Sequence, residues 1–177
     1  MKPEEFIDTV IIRDIGRVID AGCAYLAFGL IAKGIETLGA ILDEKSINDS
    51  NLSEARFRKA INELFSAQGS KYPKFAAAES VYDLYKNLRC GMVHSLIPGG
   101  LILFTHKIET DKSGLKHLTI SENNQLVLVV EDLYDDFVKA CIKCKNKLPK
   151  KTHPKLKEDV LIVSPEGSGG KPNNLMK

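Results

Sequence analysis

At 177 residues, 44% hydrophobic and 27% charged, the chain has the size and make-up of one soluble domain with a single buried core. A net charge of +2 is too small to draw nucleic acid by bulk attraction. Pro3, Glu4, Glu5 and Asp8 stand where a secretory leader would be basic and then apolar, and the most apolar stretch, residues 21–32, is too short to span a bilayer. These features describe a cytoplasmic protein, in which the four cysteines stay reduced.

Pro3 followed by two glutamates opens a first helix, since proline suits the first turn and acids suit the positive end of the dipole. Ile7, Val10, Ile11, Ile15 and Val18 give it an apolar stripe, interrupted by Asp14. Gly22 marks a break before a second helix over residues 23–42. There Phe28, Ile31, Ile35, Leu38 and Leu42 form a core face, and a set of glycines and alanines allows close helix approach, so this is the expected central helix. Ser53 is placed as the N-cap of a third helix carrying Phe57, Ile61, Leu64 and Phe65. Residues 68–74 read as a loop broken by Gly69 and Pro73. A fourth helix is expected over about residues 76–95, burying Val81, Leu84, Leu88 and Met92 with Tyr85 as a further candidate, until Pro98-Gly99-Gly100 stops it.

The period then changes to that of strands. Residues 101–104, 115–120 and 126–130 are expected to form a small antiparallel meander, with turns at 110–114 and 122–124. Glu131 and Asp132 open a last helix, lined by Leu133, Phe137, Ala140, Cys141 and Cys144 and ended by Pro149. The organisation is thus one mainly α domain over residues 1–148, with a β insert at about 101–130 before the last helix. A lysine-, glycine- and proline-rich tail follows over 149–177, expected to be disordered outside residues 160–163. The eight lysines from Lys139 to Lys157, with no acid among them, read as a solvated helix face and tail; the other reading is an arm that touches phosphates.

Few residues qualify for chemistry. Cys141-x-x-Cys144 lies inside a predicted helix, with no further ligands for a metal and no helix N-terminus to activate a thiol, so it reads as core. His106, His117 and His153 have no carboxylate or serine signature beside them and read as surface or structural. Arg89 and His94 differ: a fixed cation and a titratable imidazole fall together at a helix end, suited to gripping a phosphate and moving a proton. Five positions on an ideal helix turn through about 140°, so convergence requires a loosened last turn at Gly91 or two copies meeting across an axis. Glu36 lies among the apolar positions of the central helix; it reads first as solvent-facing, with burial against Arg89 as the alternative. Cys90 and Ser95 are supporting candidates by adjacency.

A helical bundle with Arg-x4-His near the end of a late helix resembles the HEPN superfamily, the match lying in Leu88-Arg89-Cys90-Gly91-Met92-Val93-His94. The resemblance implies a HEPN-like bundle over roughly residues 4–95 and 131–147. It also implies a homodimer and cleavage of RNA without metal or other cofactor, with Arg89 and His94 catalytic. It further implies a toxin or phage-defence role, for which a protein antitoxin is the partner to expect. Cys90 departs from the pattern, because active members often carry asparagine, aspartate or histidine there. The alternative is a non-catalytic interaction or nucleotide-binding module of the same fold.

Overall fold

The computed structural model describes residues 3–47, 49–67 and 70–148. The tail from residue 149, with Pro149, His153 and the expected disorder, lies outside the described residues, as does Gly69. Helix α1 begins α-helically (Pro3–Phe6), widens to a π-helical stretch (Ile7–Asp14) and closes as α-helix (Ile15–Asp20). Ile7, Ile11 and Ile15 face inward, while Asp14 stays partly exposed between Arg13 and Arg17. The turn after it is made at Gly22, whose φ of 78° suits a residue without a side chain.

Helix α2 (Ala24–Leu42) is the centre of the molecule and packs on α1 and on every long helix described below. By length and hydropathy it could cross a bilayer, being longer than its most apolar stretch suggests, but 61% of it is buried, the pattern of a core helix. Helix α3 (Ser53–Leu64) lies against it at Gly39, where a Cβ would overlap the Arg56 carbonyl oxygen. The last helix, α7 (Val130–Lys147), presents Leu133, Phe137, Ala140, Cys141 and Cys144, and the Phe137 ring fills the space left by Gly34. Cys141 and Cys144 are fully buried in the core, as expected, and burial raises both thiols, that of Cys144 to about 11.

Between α3 and the strands the chain departs from the expected single helix. Pro73 starts a helix instead of breaking one: α4 (Tyr72–Ala76) carries it in its first turn, where a missing N–H costs nothing. A turn over 77–83 follows and leaves Val81 exposed, against the expectation of burial. Helix α5 then runs as a π-helical stretch (Tyr85–Cys90) continued by α-helix (Gly91–Ser95), with Leu84, Leu88 and Met92 buried.

The sheet corrects the expected antiparallel meander. Strands β1 (Ile102–Thr105) and β2 (Leu126–Val129) are parallel, Ile102 opposite Leu126. Parallel neighbours need a crossover, and helix α6 (Lys107–Ser113) supplies part of it. Gly114, which reads as a hairpin turn, is the left-handed cap of that helix, with φ 71° and its N–H on the Thr110 carbonyl. Only the approach of 118–120 to β2 is antiparallel, through the Ile120–Leu126 bridge and the paired bonds of Leu118 and Thr119 with Val127.

His117 ties this region to the bundle. Its Nδ1 accepts the Val129 N–H at 3.0 Å, so in the neutral ring Nε2 carries the proton and donates to the Tyr72 hydroxyl at 2.8 Å. Tyr72 in turn donates to Asp136 Oδ2 at 3.2 Å. Burial holds the His117 pKa below its ordinary value, with Asp132 and Asp136 opposing the shift in part. Because the folded pKa is the lower one, the stabilisation is complete above about pH 6.5 and is lost as pH falls through the folded value. The melting temperature is therefore expected to drop between pH 7.5 and 5, and His117→Gln should flatten that slope. A wild-type slope unchanged by the substitution would place the titration elsewhere.

Candidate functional site

Arg89 sits in the wide turn of α5, where the Gly91 N–H reaches back five residues to the Lys86 carbonyl. The wide winding ends at Cys90 and Gly91–Ser95 is ordinary α-helix, so the turn narrows the angle between the two positions and the long arginine side chain covers the rest. This brings the pair together: Arg89 Nη1 lies 3.2 Å from His94 Nε2 within one chain. A guanidinium can only donate, so Nε2 accepts, and in the neutral ring Nδ1 carries the proton.

The guanidinium is held from three sides. Nε donates to Glu36 Oε2 at 2.5 Å and Nη2 to Ser53 Oγ at 3.3 Å. The Tyr85 ring packs against both Arg89 and Arg58, each guanidinium carbon 5.7 Å from its centroid. Arg58 is itself fixed by Asp83 and Glu54, so the tyrosine has a rigid backing. Burial, followed by the neighbouring Cys90 thiol, pushes the Tyr85 hydroxyl up to about 12 and keeps it protonated at physiological pH.

Glu36 is buried, which settles its two readings in favour of Arg89. Its second oxygen takes Lys33 Nζ at 2.7 Å. Burial alone would raise its pKa, but the bonds from Lys33 and Arg89 outweigh it and hold the carboxylate below the ordinary value. Two cations thus share one carboxylate, and the cluster keeps a positive charge beneath an exposed imidazole.

Of the residues singled out by sequence, Arg89, His94 and Glu36 converge, and Cys90 borders them. Ser95 does not join them: its hydroxyl donates back to the Gly91 carbonyl at 2.8 Å. Sequence reasoning missed Lys33, Tyr85 and the role of Ser53. Ser53 is the first helical residue of α3 and makes no capping bond, its hydroxyl being turned to Arg89. The i,i+3 spacing of Lys33 and Glu36 was the one available signal for the lysine. No family model, curated protein or solved structure matches the chain.

Proposed function

We propose that the chain is a metal-independent endoribonuclease of HEPN type, cytoplasmic and active as a homodimer. The observation that supports it most is the contact of Arg89 with His94, a buried and oriented cation whose outer edge meets an exposed imidazole. Glu36 occupies the inner edge of the guanidinium and leaves the Nη side toward the surface. An RNA phosphate arriving there draws Nη1 off His94 and releases the Nε2 lone pair for proton transfer. The 2′-hydroxyl oxygen then bonds to phosphorus and the P–O5′ bond breaks, giving a 2′,3′-cyclic phosphate and a 5′-hydroxyl. One imidazole takes the 2′ proton and a second returns a proton to O5′, while Arg89 steadies the non-bridging oxygens. A role as a toxin or in phage defence, with a protein antitoxin, follows from this reading. The assay is RNA cleavage in EDTA by the wild type and its motif variants.

The second imidazole calls for a second copy, and the surface offers a place for one. Helices α2 and α5 meet at Gly29 and Met92, and at this end both expose large apolar side chains: Tyr25, Leu26 and Leu30 on one, Val93, Leu96 and Ile97 on and after the other, 39–65% exposed. Such a patch beside His94 suits an interface. Leu96 holds a left-handed conformation, φ 55° and ψ 21°, where glycine is the usual residue. Leu96→Gly is therefore expected to leave the monomer as stable or about 1 kcal/mol more so, and to weaken self-association about tenfold or more by removing a buried leucine. Sedimentation velocity across a concentration series reads this out. Equal self-association in the variant would remove Leu96 from the interface.

The burial of Arg89 against Glu36 favours a second reading, a non-catalytic interaction or nucleotide-binding module in which the cluster is structural. Under it, substitutions at the motif alter stability and no RNA is cut.

A further inference from the structure

An open cavity of about 380 Å³ lies away from the motif, between the end of α3, the start of α4, residues 117–118 and α7. Leu64, Phe65 and Leu118 wall it, and Lys71, Asp136 and Lys139 border it. Inside, Tyr72 is already bonded to His117 and Asp136. What remains for an incoming group is apolar wall and the spare donors of two ammonium groups: Lys71 Nζ donates to the Leu118 carbonyl at 3.3 Å, and Lys139 Nζ pairs with Asp136 at 2.8 Å on a side chain that is 74% exposed.

The described residues end beside this cavity. Leu148 packs on the core, and Lys147 Nζ reaches Glu63 Oε2 at 2.8 Å, one residue before the Leu64 wall. Beyond Leu148 lie 29 residues, mostly polar, proline or glycine, in which Val160-Leu161-Ile162-Val163 is the longest apolar run. Glu158 and Asp159 stand directly before that run. The eleven residues between Leu148 and Val160 span up to roughly 35 Å when extended. That tether reaches the cavity with slack, and at so short a distance the effective concentration of the segment is in the millimolar range.

We infer that residues 158–163 dock in this cavity within the same chain. The apolar run covers Leu64, Phe65 and Leu118, and the two acids meet Lys71 and Lys139. Order and charge match on both sides, because acids adjoin an apolar run in the segment just as ammonium groups adjoin apolar walls in the cavity. Docking also shields the His117–Tyr72 bond from water.

Hydrogen exchange and methyl NMR on the full chain test this. Amides of 160–163 are expected to exchange more slowly than in a free chain. Leu161→Ser, outside the core, should cut that protection about tenfold or more and move the Leu64 and Leu118 methyl signals. Lys139→Glu should weaken protection about two- to fivefold, and adding Asp159→Lys should restore it. Free-chain exchange in the wild type overturns the proposal. So does protection that vanishes on dilution, which would belong to a contact between copies, or protection without change at Leu64 and Leu118. Failure of the charge swap to restore protection counts against seating Asp159 on Lys139.

Discussion

His94→Ala is expected to lower RNA cleavage in EDTA by ~10²–10⁴-fold, the range lost with a positioned acid–base group. The imidazole is exposed and its one described bond is to Arg89, so the fold does not depend on it. A surface change of this kind alters stability by about 0.5 kcal/mol or less, or roughly 1–2 °C in melting temperature for a chain this long. Loss of cleavage with an unchanged melting temperature would establish a nuclease centred on this residue. Equal cleavage by wild type and variant would assign the activity elsewhere. Absence of cleavage in both, across structured and unstructured RNAs, would favour the binding module and make partner capture the informative experiment. Arg89→Lys gives a second arm: a lysine keeps the charge but lacks the planar fork that meets Glu36, Ser53 and His94 together.

Glu36→Gln should have the largest effect on stability. Glutamine keeps the shape and can still accept from Arg89, but it leaves a buried guanidinium without its counter-charge. Removing one partner of such a pair costs about 3–5 kcal/mol, or about 10 °C in melting temperature. Glu36 also predicts the acid behaviour of the wild type. Its folded pKa is the lowered one, so its contribution is complete above about pH 4.5 and disappears as pH falls through the folded value. The variant should lack that acid-limb loss. Replacing both partners, Glu36→Leu with Arg89→Met, should recover most of the stability, since a buried ion pair is often matched by apolar side chains of similar size. A folded double variant without cleavage would separate the two roles of Arg89. An unchanged melting temperature in Glu36→Gln would mean that Arg89 does not rely on this carboxylate.

Much of the bundle was legible because its stripes are long and regular. The buried faces of α2, α3 and α7 fall at the three- and four-residue spacings of the sequence, and Gly22 ends α1 where expected. The insert was not, because a glycine after Lys-Ser serves a hairpin or a helix cap equally well. Only the crossover between parallel strands decides between them, and that is a property of the sheet. Pro73 misled for a similar reason: the same residue breaks a helix inside and starts one at its first turn. In the candidate site, the local pair Arg89 and His94 could be found by spacing. The shell around it could not, since Glu36 and Ser53 come from other helices, 53 and 36 residues away in sequence. A lone carboxylate among apolar residues looks alike whether it meets solvent or a buried arginine.

The wide turn of α5 acts as a phase adjuster. It lies between the buried Leu84 and Met92, so the extra winding is taken up inside a helix that is anchored in the core at both ends. Deleting one residue from 85–88 would turn Arg89 and His94 together relative to the start of the helix, whereas deleting Cys90 would set the two four positions apart on an ordinary helix. The second change would leave His94 on the same helix face as Arg89, within its reach. For this chain the interval between the two residues has meaning only together with the pitch of the helix that carries them. A shorter interval on an ordinary helix could serve the same chemistry.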